Sequence, residues 1–375
     1  MSEIAVALSK EREEKEAIRE ISLKIKYSLP WSIDLVLVFF TPHYRTPFLL
    51  SSFFDTLTPN YIVGIKTPWI IYEDRIIHQG VMVISISSPG ANLRLNVIGR
   101  DDFDKIEVSL RNLLRGASLS FLFAFLSSSI NQEYFLKELK IALGKSENFL
   151  GCGSLLSEKN GDFSYQFLDG KIVEGVLFLG LGRNMNIHHK KISGFIPLGR
   201  PFVFTKIDKK RRLILEIDNR PAFDIYRKYL EEKIEIFKER NLFYLYPLGV
   251  KKDISYRLVS IQELLEDESF TFVGNIEEGM QGNIMILKEK ALWEEIENFF
   301  KDDRIFSSSK LVMVIGSSLR EKILKEKVRE ELNLIKKNLD NVPLVGFYSR
   351  YHLEFDAYFR NFVFEEGNLH LISLR

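Results

Sequence analysis

The stretch YIVGIKTPWI, residues 61–70, and the stretch PLVGFYSRYH, residues 343–352, are written to one pattern. Each has a bulky apolar pair, a glycine, another apolar residue, a variable residue and then a hydroxyl. A third segment, NFLGCGS, aligns on its glycine, so that Gly64 leads to Thr67, Gly151 to Ser154 and Gly346 to Ser349. After each, a later glycine opens a further apolar run: Gly80, Gly175 and Gly367. A weaker echo surrounds Gly249, with Lys252 at the hydroxyl position. A glycine at a strand end permits a close backbone approach or a positive φ. A hydroxyl three residues on can satisfy backbone groups freed by a turn. On that reading the phrase is architecture. Beside it stands a functional reading, in which related strand ends converge on a small ligand, as strand ends in α/β sheets do. One neutral hydrogen bond nets about 1 kcal/mol, so micromolar affinity would need several such groups plus burial.

Outward from these glycines, the pattern predicts one order of elements twice over: strand, helix, strand ending in glycine, loop, strand. DLVLVFF (Asp34–Phe40) is a continuous apolar, β-branched run suited to a strand covered on both faces. TPFLLSSFFDTL predicts a helix with Pro47 in its first turn. DFDKIEVSLRNLLRG has an Asp start and a Gly stop around helical spacing, and the run from Ala117 follows as a buried strand. The first 26 residues, with Ile4, Ala7, Leu8, Ala17, Ile18, Ile21 and Ile25 between charges, predict an amphipathic helix. PFVFTKIDKKRRLILEID predicts a hairpin around a charged turn, and a long helix starting at Pro221 follows. KLVMVIGSS, then a helix, PLVGF and NLHLISL close the chain. The expected class is mixed α+β, or α/β, built from duplicated strand-helix-strand units. Two similar sheet-and-helix domains related by pseudo-symmetry are expected, at residues 1–194 and 195–375.

With 52 Lys plus Arg against 51 Asp plus Glu, the chain has no basic excess, and nucleic acid is not expected as a partner. A single cysteine, Cys152, excludes an internal disulfide framework and a multi-cysteine zinc site, and suits a reducing cytoplasm. The charged N-terminus carries no secretory apolar segment. The longest apolar run, ASLSFLFAFL, is about half the roughly 20 residues that cross a bilayer, so no membrane partner is expected.

The segments DLVLVFFTPHY and IVGIKTPWI resemble the opening of a FIST N domain. FIPLGRPFVFTKIDKKRRLILEIDNRPAFDIYRKYL resembles the start of a FIST C domain, with DNRPAFDIY its most specific part. YPLGV and VPLVGFYSRYHLEFDAYFRNFVF, with Asn361 before the last strand, fit the same family. The resemblance covers nearly the whole chain. It implies a sensory or signal-input module that binds a small ligand, an amino acid or a small carboxylate, and acts through a signalling output protein in trans. No catalytic residue, metal or cofactor is expected. The departures from the family are specific. Lys66 follows Gly64 in the first loop, with Thr67 kept. In the closing loop Gly346, Tyr348 and Ser349 are kept, but Arg350, Tyr351 and His352 replace small and acidic residues. Arg350 and Lys66 would supply donors to a carboxylate or phosphate. The expected ligand-binding residues are therefore Gly64, Lys66, Thr67, Gly151, Ser154, Gly346, Tyr348, Ser349 and Arg350. The alternative is a scaffold or protein-interaction module whose pocket has decayed, since Trp69, Tyr351 and His352 are bulky where relatives keep small residues.

Other chemistry is weakly written. GLGRNM lacks the third glycine of a dinucleotide loop and reads as a strand end. His188 and His189, adjacent on a strand, would face opposite ways, which suits a surface pair better than one metal. His43 and His352 lie in matching loop regions, with solvated or core roles favoured over a shared site. Cys152 has no activating signature and reads as a small buried hydrophobe. The paired glutamates of NIEEG read as an exposed turn.

Overall fold

DLVLVFF does become a strand with both faces covered, and its two faces belong to two different cores. The computed structural model describes all residues except 1, 30, 91, 100–101, 128–131, 147, 154–165, 170, 231–233, 254, 274–275 and 303. The first repeating unit comprises β1 (Glu3–Ser9), α1 (Glu14–Ser28), β2 (Leu35–Phe40), α2 (Thr46–Leu57), β3 (Tyr61–Lys66), the hairpin β4 (Ile70–Tyr72) and β5 (Arg75–Ile77), and β6 (Val81–Ser87). The second comprises β7 (Arg94–Gly99), α3 (Ile106–Leu114), β8 (Leu119–Leu126), α4 (Gln132–Leu143), β9 (Phe149–Gly153), the hairpin β10 (Gln166–Leu168) and β11 (Lys171–Val173), and β12 (Gly175–Gly182).

A third unit starts at β13 (Ile187–Ile192) and is at once interrupted by a seven-stranded sheet. That sheet holds β14 (Phe195–Asp208), β15 (Leu213–Ile217), β16 (Arg220–Pro221), β17 (Leu248–Lys252), β18 (Ser255–Leu264), β19 (Phe270–Val273) and β20 (Gln281–Leu287). Helices α5 (Asp224–Leu230), α6 (Ile234–Glu239) and α7 (Leu242–Leu245) accompany it. The unit resumes with α8 (Glu289–Asp302), β21 (Leu311–Ser317), α9 (Ser318–Leu324), α10 (Val328–Lys337), β22 (Leu344–Ser349), the hairpin β23 (His352–Asp356) and β24 (Asn361–Glu365), and β25 (Leu369–Leu374).

The mixed α+β class and the repeated unit are both present, and the unit occurs three times. The three six-stranded sheets run β1-β6-β2-β3-β10-β11, β7-β12-β8-β9-β23-β24 and β13-β25-β21-β22-β4-β5. Each unit thus builds four strands of its own sheet and lends its hairpin to a neighbour, in a closed cycle. Along β2, Leu35, Leu37 and Phe39 enter a core shared by all three sheets, while Val36, Val38 and Phe40 pack under α1 and α2. In β8, Phe121, Phe123 and Phe125 point to the shared core and Leu122, Ala124 and Leu126 to α3 and α4. In β21, Leu311, Met313 and Ile315 do the same, with Val312 and Val314 outward toward α8 and α10. The two-residue side-chain period of a strand divides every run between a common interior and a private helical cover.

The glycines mark where the lent hairpin docks. Gly64 pairs with Val38 on one side and Phe167 on the other, Gly151 with Ala124 and Leu353, and Gly346 with Val314 and Ile71. A Cβ at Gly151 would lie 2.7 Å from Leu353 Cβ, and one at Gly346 would fall on the Val314 carbonyl oxygen. Gly346→Ala should therefore force β21 and β22 apart. We expect a loss of about 1–3 kcal/mol, read from the urea midpoint of unfolding. A variant as stable as the parent would show that these strands have slack.

Three expected elements differ. The first 26 residues are not one helix: Glu3–Ser9 is a strand antiparallel to β6, and the helix begins at Glu14. Ile4, Val6 and Leu8 alternate with the buried Ala5, Ala7 and Ser9, a two-residue period hidden by the helical spacing downstream. The long helix expected from Pro221 begins only at Asp224, Pro221 itself ending β16, and residues 231–233 lie outside the described set. The helix after β21 breaks at Lys325, whose φ is +51°, into α9 and α10.

Candidate functional site

Two places hold the chemistry of this fold: the turns that follow the repeat glycines, and one inner junction between sheets.

At the turns, hydroxyl and backbone act together. Thr67 Oγ1 donates to the Trp69 carbonyl at 3.1 Å and Ser349 Oγ donates to the Tyr351 carbonyl at 3.2 Å, so the two hydroxyls close equivalent turns. Both residues are buried. Ser154, the third of the set, lies outside the described residues. The structure brings the turns together in pairs. Arg350 N donates to the Gly153 carbonyl and Gly153 N to the Tyr351 carbonyl, each at 2.9 Å. A Cβ at Gly153 would fall within the Tyr351 ring, so that ring fills the space beside the second unit's turn. Trp69 meets Tyr348 edge to face, with centroids 6.2 Å apart. Tyr348 points outward from the shared core, under α10, and its hydroxyl has no hydrogen-bond partner among the described residues. Burial pushes that hydroxyl's pKa well above the ordinary tyrosine value, with the nearby Glu331 adding to it. Lys66 is partly buried at the end of β3, and the exposed Arg350 donates through Nη2 to the Gln262 amide oxygen at 3.0 Å. Gly64, Gly151 and Gly346 contribute close strand packing rather than side chains.

The inner junction is the part that sequence reasoning missed. His189 and Lys191 on β13, His370 on β25, and His352, Glu354 and Glu365 on the hairpin β23–β24 meet where two sheets face each other. His189 Nε2 and His370 Nδ1 are 2.8 Å apart, and the His370 and His352 rings have centroids 4.2 Å apart. Phe121 lies edge-on to His189 at 5.5 Å. Lys191 Nζ donates to Glu354 and, at 2.8 Å, to Glu365 Oε2. From the inserted sheet come Lys252, paired with Asp356, and the buried Arg257, whose guanidinium lies 5.2 Å from the Phe359 ring centroid.

His352 and His370 are fully buried, and both ring nitrogens of His352 and Nε2 of His370 lack a hydrogen-bond partner among the described residues. Burial, with Lys191 and His188 adding charge repulsion, pushes His189 down to about 4. Burial pushes His352 down to about 3 against the pull of Glu365, and His370 well below the ordinary histidine value. Burial pushes Glu354 up to about 8, while for Glu365 the charges of Lys191 and Lys252 outweigh burial and hold its carboxyl below the usual range. The side chain of Lys191 is 35% exposed, so it forms the solvent edge of the cluster. The signal in the sequence was alternation: His189-Lys191 and His352-Glu354-Asp356 place ionisable groups two apart on strands whose inner faces should be apolar.

His188 and His189 do face opposite ways, His188 toward Phe306 and His189 inward, where it bonds to His370 rather than sitting as one of a surface pair. Cys152 is buried, and burial pushes its thiol far up. His43 Nδ1 lies 3.3 Å from Thr41 Oγ1. A cleft of about 530 Å³ lined by Ser120, Asn148, Arg183, His188, Ile305 and Arg375 opens at the ends of β8 and β9 opposite the turns. Among the described residues no group of histidine, cysteine and carboxylate side chains has metal-binding geometry, and no helix is long and apolar enough to cross a membrane.

Family models match the chain in tandem: the FIST N domain over residues 34–220 and the FIST C domain over residues 222–350. No curated protein matches it. Among solved structures, similarity is found to the crystal structure of a cyanuric acid hydrolase from A. caulinodans, at 8% identity, full coverage of both chains and a TM-score of 0.34. It is also found to T. maritima PurL complexed with ATP, at 10% identity, 100% of this chain, 72% of the other and a TM-score of 0.21. Neither likeness is large enough to argue from.

Proposed function

We propose a function from one premise: the chain belongs to the FIST family, whose domains are sensory and non-catalytic. On our reading it is a cytoplasmic signal-input protein. It binds a small carboxylate or amino acid at the turns after Gly64, Gly151 and Gly346 and reports to an output protein in trans. We place the division between its FIST N-like and FIST C-like parts at 194/195, where β14 begins the inserted sheet.

The observation that supports the reading is the pairwise meeting of these turns, with Arg350 at the rim bonded to the neutral oxygen of Gln262. A carboxylate is the stronger acceptor for a guanidinium and would displace that amide. Thermal melts with amino acids and small carboxylates test this. At 100 times its Kd a true ligand adds about 2.7 kcal/mol of stability. The shift should disappear in Arg350→Gln while the unliganded melt stays as in the parent, because Arg350 is exposed.

A flat response across the whole panel would sink this reading and leave the scaffold alternative, which has its own support. Tyr351 fills the space beside Gly153, and Leu23 and Tyr27, one helical turn apart on α1, are 62% and 92% exposed, with Trp31 just past the helix end at 66%.

A further inference from the structure

The strand ends opposite the turns can be compared among the three units, position by position, from the residues that face the repeat glycines. Val38, Ala124 and Val314 oppose Val83, Phe178 and Leu371 on the last strand of each unit. Counting on from these, Ser87, Gly182 and Arg375 correspond, and Arg183 corresponds to Ser88. Four residues before Val38, Ala124 and Val314 stand Asp34, Ser120 and Lys310.

In two of the three copies that last position carries a charge, and the charge closes the strand end. Asp34 accepts from Ser88 N at 2.7 Å and from Asn60 Nδ2 at 3.0 Å, and Lys310 Nζ donates to the Ser2 carbonyl. In the second copy the residue is Ser120, whose hydroxyl turns back to the carbonyls of Leu181 and Gly182 at 3.1 and 3.0 Å. Charge stands instead on the last strands, with Arg183 in place of Ser88 and Arg375 in place of Ser87 and Gly182. Their backbones are fixed: Arg183 N donates to the Ser118 carbonyl at 3.0 Å and Arg375 N to the Asn186 carbonyl at 3.1 Å. Both residues line the cleft of about 530 Å³ between the second and third units. Neither guanidinium has an ion-pair or hydrogen-bond partner among the described residues, and no acidic side chain among them lines the cleft. The side-chain amides of Asn148 and Asn186, in the same lining, are unpaired among the described residues as well.

We propose that this cleft binds a small organic dianion: an apolar body bearing a phosphate monoester or a pair of carboxylates. Two guanidiniums on one cleft repel each other, and an anion between them removes that repulsion. Guanidinium is also the side chain best shaped to hold phosphate or carboxylate through two parallel hydrogen bonds. The amides of Asn148 and Asn186 add uncharged donors. The volume is that of a small-molecule site and exceeds what a bare phosphate fills. Leu119, Ile187 and Ile305 supply an apolar wall for the remainder. The site lies at the opposite strand ends from the turn-borne site and stands or falls without it.

The test is calorimetric titration of the full chain at pH 7.5 with phenyl phosphate, with phthalate and with uncharged benzyl alcohol. At least one dianion should bind saturably and benzyl alcohol should not, and the dianion that binds tells phosphate recognition from carboxylate recognition. With 15N-labelled histidine, the same ligand should move the ring resonances of His188, which lines the cleft. Arg183→Gln should weaken binding about tenfold and keep the parent's melt, since the side chain is exposed and unpaired. Arg375→Gln should do the same, and it takes over the test should Arg183→Gln not fold. No saturable binding of either dianion, equal binding of benzyl alcohol, a still His188, or undiminished affinity in a folded variant would each overturn the proposal.

Discussion

Arg320→Ala is expected to destabilise the folded chain by about 3–5 kcal/mol, the scale for breaking a buried ion pair from one side. Arg320 and Glu331 have no exposed side-chain surface. Ser317 caps α9 by accepting from Leu319 N at 3.2 Å, which sets Arg320 in the first turn, and the break at Lys325 turns α10 back so that Glu331 faces it. Arg320 Nε and Nη2 donate to Glu331 Oε1 at 2.7 and 2.5 Å. Its Nη1 donates to the carbonyls of Ser193, at 2.5 Å, and Gly367, at 2.9 Å. Those two carbonyls sit at the entry to the inserted sheet and the entry to β25, so one guanidinium ties three chain segments together. Without it Glu331 keeps a buried charge and two carbonyls lose their donor. The paired substitution Arg320→Met with Glu331→Leu removes the charge on both sides and should recover much of the loss. Urea unfolding of the parent, both single variants and the double variant measures the coupling. A loss below about 1 kcal/mol for Arg320→Ala would place this pair among ordinary surface bridges.

Much of this architecture could be read from the sequence because glycine leaves a visible mark where two backbones must approach closely. The spacing of Gly64, Gly151 and Gly346, each followed by a strand-opening glycine, pointed to a repeated unit, and the hydroxyls at Thr67 and Ser349 do close matching turns. The exchange of hairpins was not readable. A short strand such as Ile70–Tyr72 carries the same residues whether it pairs at home or with β22 of a distant unit. The strand Glu3–Ser9 was lost for another reason: its alternation is short, and the helical spacing of α1 runs on from it without a break. The polar junction was hidden by distance along the chain. His189, His352, Glu365 and His370 come from four strands of one unit and meet only after folding, and each taken alone reads as a surface or core histidine or glutamate.

The same junction should make the protein acid-labile between pH 6.5 and 5. An unfolded imidazole titrates near 6.5, whereas burial holds His189 down to about 4, His352 to about 3 and His370 well below its ordinary value. As pH falls below 6.5 the unfolded chain therefore binds protons that the folded chain refuses, and stability drops as it does so. Each such group costs at most about 1.4 kcal/mol per pH unit, with His189 contributing less because it is half-buried. Glu354 acts in the opposite sense. Its folded carboxyl, pushed up to about 8, keeps a proton that an unfolded glutamate has released, so its contribution is complete below about 4.5 and declines toward pH 8. It offsets about one histidine in this window. The remainder, up to about 3 kcal/mol per pH unit, would consume a large part of a stability of about 5–15 kcal/mol within two units. Melting temperatures taken from pH 7.5 to 5 should fall steeply below 6.5, and the pair His352→Ile with His370→Met should flatten that fall. A melting temperature unchanged from pH 6.5 to 5 would mean that these imidazoles take up protons in the folded state. Water would then reach the junction, and its charges would be solvated rather than held by one another.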